Sequence, residues 1–304
     1  MNLQQKTTNS IERFLGGLLP LFFFWIGCVH AQNPESVFQI IAAGNSTLYV
    51  KGDDLFRVTA RENRIVLSEI PSLVQEDFKK ANFAYDIAEI DDYDNLWLLL
   101  PTYLVCYARQ KNEWQVFALP GHVKDNHYGM SPIGLEYWKE SIWVATSEYL
   151  WCFHLEKKWW EQFSYPQGHH GGIIKKGPGG SLWLDGIAWF DGKEWEALPR
   201  CPIPLSFWPR TSQCFTWDKN GYPWLAAVQG VYFFDMHYKC WRSAPGERFQ
   251  RAYSIACFKD EIWCTDYNKA LYKFTGSSWQ EVSCPTPRPK LSYAYTLYST
   301  QDRL

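Results

Sequence analysis

The sequence has no excess of either charge, no long apolar run beyond its N-terminal segment, and none of the compact residue spacings that announce a reaction. Its 30 lysines and arginines stand against 32 acidic residues, a net charge of −2. Neither a polybasic nucleic-acid surface nor an acidic solvating tail is present. No apolar run after residue 31 approaches the roughly 20 residues of a membrane helix, so no stable membrane span is expected once an N-terminal signal is removed. No HExxH, paired-carboxylate or nucleophile-elbow pattern occurs, and no cofactor motif. An enzyme is therefore the less favoured reading, and a binding module the preferred one. What is abundant is aromatic side chain, 18% of residues including 17 tryptophans.

The N-terminus is read first, because it predicts where the chain works. Residues 1–10 are polar, Lys6 and Arg13 supply positive charge, and Phe14 to Val29 is an apolar run of 16 residues interrupted by Gly16, Gly17 and Pro20. Val29-His30-Ala31 places small residues at the two positions a signal peptidase reads. The expectation is a signal peptide over residues 1–31, a secreted or periplasmic location, and one domain over residues 32–304. An uncleaved anchor is an alternative, and Gly27-Cys28 offers a lipoprotein site as a third.

The tryptophans then set the fold class. Trp97, Trp143, Trp183, Trp224 and Trp263 each sit in a short apolar strand, at intervals of 46, 40, 41 and 39, and Tyr49 lies 48 residues before the first. A period of about 40 to 45 with several short strands per unit is the signature of a β-propeller. After each of these strands comes another ending at Val58, Tyr107, Phe153, Phe190, Phe234 or Phe274. A large apolar residue follows at Ile65, Trp114, Trp160, Trp195, Trp241 or Trp279, at offsets of 7, 7, 7, 5, 7 and 5. Strand side chains alternate faces with period two, so even differences keep the apolar faces aligned. A strand before each Trp strand completes four. The expectation is all-β: a β-propeller of four-stranded antiparallel blades, six full blades plus an extra C-terminal strand within Tyr293 to Leu304, or an incomplete seven-bladed ring. Within the fourth unit, Leu182 to Leu184, Ile187 to Phe190 and Trp195 to Leu198 read as strands, with Asp185-Gly186 and Asp191-Gly192 as two-residue turns.

The units resemble the two-component regulator propeller repeats of bacterial periplasmic sensor domains. The likeness is carried by Asp94-Asn95-Leu96-Trp97, Gly180-Ser181-Leu182-Trp183, Gly186-Ile187-Ala188-Trp189-Phe190-Asp191-Gly192 and Gly230-Val231-Tyr232-Phe233-Phe234-Asp235. It implies a sensor-like, ligand-binding propeller outside the cytoplasm.

Candidate site residues fall between the blades. In a propeller these connections emerge on one face around the channel, the usual ligand site for the architecture. His122, His127, His169 and His170 lie in two successive connections, with Tyr128 nearby, and Trp208, Arg210 and Arg251 lie in later ones. Such residues suit a carbohydrate, peptide or protein partner. An assembly scaffold without a small ligand is the second reading. The third is a metal-dependent lyase, from architectural similarity to the propeller lyases that open cyclic peptide antibiotics. Cys106 and Cys152 share a repeat position on neighbouring blades and are expected as core thiols, since stacked sheets lie about 10 Å apart. A two-residue turn at Asp260-Glu261 would set Cys257 against Cys264, making them the candidate disulfide.

Overall fold

The computed structural model describes residues 24–26, 29–30, 37–43, 47–51, 55–59, 65–66, 70–80, 88–120, 134–166, 172–199, 214–227, 229–246, 252–266, 270–282 and 296–298. Four strands recur in each unit. The first sheet holds Val37–Ala43, Thr47–Lys51, Leu55–Thr59 and Ile65–Val66, with Val29–His30 added on its inner edge. The second holds Ala88–Ile90, Leu96–Leu99, Tyr103–Ala108 and Glu113–Ala118, and the third Gly134–Trp138, Ser141–Ala145, Tyr149–His154 and Trp159–Ser164. The fourth is Ile174–Lys176, Leu182–Leu184, Ala188–Phe190 and Trp195–Ala197, and the fifth Phe215–Trp217, Pro223–Ala227, Gly230–Asp235 and Cys240–Ser243. The sixth is Ala252–Phe258, Glu261–Asp266, Leu271–Phe274 and Trp279–Val282. The chain is an all-β propeller of four-stranded antiparallel blades. Inner strands of the first and second, second and third, third and fourth, and fifth and sixth sheets lie side by side. Among the described residues no helix is long and apolar enough to cross a membrane.

Burial follows radial position. The Trp strands Leu96–Leu99 and Ser141–Ala145 are buried at every residue, because both their faces pack on neighbouring strands or sheets. The outermost strands Glu113–Ala118 and Trp159–Ser164 are half-buried or exposed along their length. Trp97, Trp143, Trp183, Trp224 and Trp263 are all buried, so the periodic rings are core. Between the second and third sheets, Phe117 and Trp97 of one meet Phe153 of the other at 4.7 and 6.4 Å between centroids. Between the third and fourth, Trp143 and Phe163 lie 5.7 and 5.5 Å from Phe190. The outer-strand tryptophans add a directional bond: the indole N–H of Trp160 donates to the Ala118 carbonyl, Trp195 to Ser164 and Trp241 to Pro199. Each reaches back to the preceding sheet.

The expected pairing of aromatic residues holds in five sheets. Tyr107 lies opposite Trp114, Phe153 opposite Trp160, Phe190 opposite Trp195, Phe234 opposite Trp241 and Phe274 opposite Trp279. The first sheet departs: Ile65 pairs with Arg57 rather than with Val58. The Asp185-Gly186 turn forms, with both residues at positive φ and the Ile187 N–H donating to the Leu184 carbonyl at 3.0 Å, but Leu184 lies opposite Ala188, so the connection is three residues long and the strand begins at Ala188 rather than Ile187. Asp191-Gly192 does not make a two-residue turn. A four-residue loop joins Phe190 to Trp195, because the Asp191 carboxylate accepts the N–H groups of Lys193 (2.7 Å) and Glu194 (2.9 Å) and so closes a local turn of its own.

Two features lie outside the repeat pattern. A helix at Ser72–Lys80 follows the first sheet and buries Val74 and Phe78, four residues apart on one face. The strand Thr296–Tyr298 pairs with Phe24–Ile26 in a separate two-stranded sheet and does not join the first sheet. There Val29–His30 already pairs along Val37 and Phe38.

Candidate functional site

The eight residues expected to bind a ligand, His122, His127, Tyr128, His169, His170, Trp208, Arg210 and Arg251, lie outside the described residues. The cysteines lie inside them. Cys106 and Cys152 are buried free thiols, and burial pushes the Cys152 thiol up to about 12 and the Cys106 thiol higher still. Cys257 and Cys264 are free thiols as well, and the expected bridge is corrected by the register. The hairpin turns at Lys259 and Asp260, both at positive φ, one residue earlier than expected. Cys257 therefore faces Ile262 while Cys264 faces Ile255. The two cysteines are diagonal neighbours, roughly 7 to 8 Å apart, at or past the usual Cα limit for a bridge.

Polar chemistry enters the structure along the inner strands. The residue opposite each repeat tryptophan is Glu89, Glu136, Lys175, Thr216 or Ala256 in the second to sixth sheets. Three of these reach the next inner strand. The Glu136 carboxylate accepts the Lys176 backbone N–H. The Lys175 ammonium donates to the Phe215 carbonyl at 3.2 Å, and the Thr216 hydroxyl oxygen accepts the Cys257 N–H at 3.2 Å. Acceptors meet N–H groups and the donor meets a carbonyl, as an unpaired strand edge requires. Burial raises the pKa of Glu136 well above the carboxylate range, with the charge of Glu89 adding to it.

Between the second and third strands of the fourth sheet, Asp185 accepts the Ile173 N–H at 2.8 Å. Burial of its carboxyl outweighs that bond and pushes its pKa up to about 6. Ile173 directly follows the connection that carries His169 and His170.

Antiparallel strands send their connections to two faces. First-to-second and third-to-fourth turns share one face, and the other connections share the opposite one. Among the described residues, the exposed large apolar side chains are Leu73, Tyr93, Trp159, Tyr222, Met236 and Tyr238. Tyr93, Tyr222, Met236 and Tyr238 belong to the first-to-second or third-to-fourth turns and Trp159 opens the strand after one of them, so one face presents aromatic rings to solvent. It is the face opposite the inter-sheet connections.

On that face a crevice of about 260 Å³ opens between the second and third sheets, bordered by Tyr93, Gln110, Lys111, Gln115, Leu155 and Lys158 over a floor of Trp97 and Cys106. A second hollow of about 420 Å³ adjoins it, sharing Tyr93 and Leu155 and adding Lys139, Glu140, His154, Glu156 and Lys157. The rim is braced from below. Buried Asp91 accepts the N–H groups of Tyr93 and Asn95 at one oxygen, and the Asn95 amide and the Trp97 indole at the other, all at 2.9 Å. Asn95 in turn accepts the Arg109 N–H at 3.0 Å, tying the two turns of the second sheet together. Trp159 stacks on His154 at 4.8 Å, and His154 meets Glu161 at 2.9 Å.

No protein family and no curated protein matches the sequence. Solved structures share the fold. The extracellular domain of the putative hybrid two component system BT3049 from B. thetaiotaomicron superposes with a TM-score of 0.56 at 12% identity, over 84% of this chain. The chain spans only 36% of that domain. The structure of YCF48 bound to D1 peptide superposes with a TM-score of 0.50 at 14% identity, over 82% of this chain and 79% of that one.

The crevice was not legible as a site in the sequence. Asn95 and Trp97 were visible there as repeat residues, whereas Asp91, which braces the turn through its bonds to them, was not singled out. Tyr93, Lys111 and Lys158 are ordinary turn residues in composition. The one signal that could have found them is the recurrence of an aromatic in such turns, Tyr93, Tyr222 and Tyr238 among them.

Proposed function

We propose that this chain is an extracytoplasmic, sensor-like propeller of the two-component regulator type that binds a peptide or protein segment on its turn face. The observation that carries this is the collection of exposed aromatic residues on one face, with Tyr93 58% and Tyr238 62% exposed. Flat amphipathic rings held on short, braced turns give contact area at little conformational cost. The reading is supported by likeness of fold to a propeller solved with a peptide and to an extracellular sensor domain. The inter-sheet connections with His122, His127, Tyr128, His169, His170, Trp208, Arg210 and Arg251 are the competing surface, favoured by the raised pKa of Asp185 at the base of one of them.

An array of extended peptides probed with the labelled full chain tests both. Tyr93→Ala with Tyr238→Ala should strip binding while His169→Ala with His170→Ala leaves it. The opposite result moves the site to the inter-sheet connections, and a blank array refutes the peptide reading.

A further inference from the structure

The crevice between the second and third sheets has a definite chemical bias. Two lysines, Lys111 and Lys158, stand at its border with exposed side chains. No carboxylate among the described residues lies within ion-pair distance of either, whereas Arg109 pairs with Asp94, Arg242 with Asp235 and Lys273 with Glu261. The Lys158 ammonium sits 5.2 Å from the centre of the Phe117 ring and 6.0 Å from that of Phe153, which orients its charge beside the apolar seam between the sheets. Among the described residues the only carboxylate lining this crevice is Asp91, and four inward donors already occupy its two oxygens. What the crevice offers a ligand is therefore two ammonium groups, the side-chain amides of Gln110 and Gln115, and the ring of Tyr93.

We infer that the crevice binds an acidic stretch of an extended peptide, an inference that rests on the peptide-binding reading above. Ligand carboxylates meet Lys111 and Lys158, the glutamine amides bond the peptide backbone, and an apolar or aromatic neighbour lies on Tyr93. Charge-assisted bonds of this kind are the stronger ones. The saturation of Asp91 leaves a neutral glycan only the glutamine amide oxygens as side-chain acceptors, whereas an acidic chain engages the two ammonium groups as well. In the adjoining hollow Lys139 and Lys157 are balanced by Glu140 and Glu156, so the acidic residues of the ligand belong at the Lys111 end and the segment continues as polar chain.

Fluorescence anisotropy on the full chain tests this with three labelled peptides of one length: an acidic one with a central aromatic residue, its Glu→Gln counterpart, and its Glu→Lys counterpart. The acidic peptide should bind tightest, weaken as salt is raised, and lose about tenfold or more in affinity with Lys111→Glu plus Lys158→Glu. Lys111→Gln plus Lys158→Gln should give an intermediate loss, and circular dichroism should show both variants folded. Equal binding of the acidic and amide peptides overturns the acidic preference but leaves peptide binding standing. No binding by any of the three, with none on the wider array, overturns both. A uronic-acid oligosaccharide that binds the wild type more tightly than the acidic peptide, and is lost in the same variants, makes the crevice a glycan site and also overturns the inference.

Discussion

Gly177 shows how an unremarkable turn residue can be set by packing. The stretch Gly177-Pro178-Gly179-Gly180 has the composition of a flexible turn, and Gly179 indeed takes a φ of +69° with nothing near its missing side chain. Gly177 has a φ of −122°, extended backbone open to any residue. A methyl group there would lie 2.2 Å from Cδ1 and 2.4 Å from Nε1 of Trp183, and 2.8 Å from Trp217. The Trp183 ring cannot easily retreat: its centroid lies 5.1 Å from Trp189 and 5.6 Å from Trp217, and its N–H donates to the Ser181 hydroxyl at 2.9 Å. Gly177→Ala should therefore carry the upper end of the about 1–3 kcal/mol typical of overpacking. Stiffening the unfolded chain returns about 0.4–1 kcal/mol, for a net loss of about 2 kcal/mol. Gly179→Ala should cost about 1–2 kcal/mol through its left-handed backbone alone. Urea unfolding gives both numbers, and Gly177→Ala on a Trp183→Leu background should lose most of its cost because the clashing ring is gone. A neutral or stabilising Gly177→Ala, or one equally damaging on both backgrounds, would refute the packing argument.

Trp183→Ala should cost about 3–5 kcal/mol, whereas Trp159→Ala, whose ring is 43% exposed, should cost well under half of that; equal shifts in urea midpoint would mean the two rings are not in these environments. Asp185 has a folded pKa of about 6 against 3.8 for the free group, so the folded state holds its proton more tightly. Its stabilising contribution is full at low pH and is lost as pH rises from about 4 to 6, by about 3 kcal/mol. Asp185→Asn keeps an acceptor for the Ile173 N–H and should flatten that decline, seen as stability against pH for the two proteins; parallel curves would count against a buried titrating carboxyl. Expression in a bacterial host should yield a mature N-terminus at Gln32 by mass spectrometry, a cleavage that would take the strands Phe24–Ile26 and Val29–His30 away from Thr296–Tyr298 and the first sheet, and an intact Met1 in the cytosolic fraction would refute a leader over residues 1–31.

The repeat was legible because the same physics acts on every copy. Each blade must bury a ring from its second strand, so Trp97 to Trp263 recur, and each outer hairpin must keep Phe153 opposite Trp160 or Phe190 opposite Trp195, so length changes come in twos. Turn registers were less legible, since they turn on single side chains. The carboxylate of Asp191 builds a four-residue loop where Asp-Gly alone suggests two, and left-handed Lys259 and Asp260 shift the hairpin that would have aligned two cysteines. The helix at 72–80 was hidden because a short apolar pattern, Val74 and Phe78, sits where the repeat calls only for a connection. The site was least legible of all. A crevice between two blades is assembled from turns more than fifty residues apart in sequence, such as Tyr93 and Lys158, and neither turn carries its chemistry alone.

The side-chain bonds between inner strands give the row of sheets a direction. Glu136 serves the strand after its own, as do Lys175 and Thr216, but the partner is not the same throughout: an amide for Glu136 and Thr216, a carbonyl for Lys175. Units that look interchangeable by their tryptophans are thus not interchangeable as neighbours. Exchanging the third and fourth units would bring the Glu136 carboxylate toward the edge whose Phe215 carbonyl now accepts from Lys175. Duplication can lengthen such a chain freely only while its copies are identical. Once each has acquired a side chain fitted to its successor, the order of the units is itself inherited, and a new unit can enter only beside one whose edge it already matches.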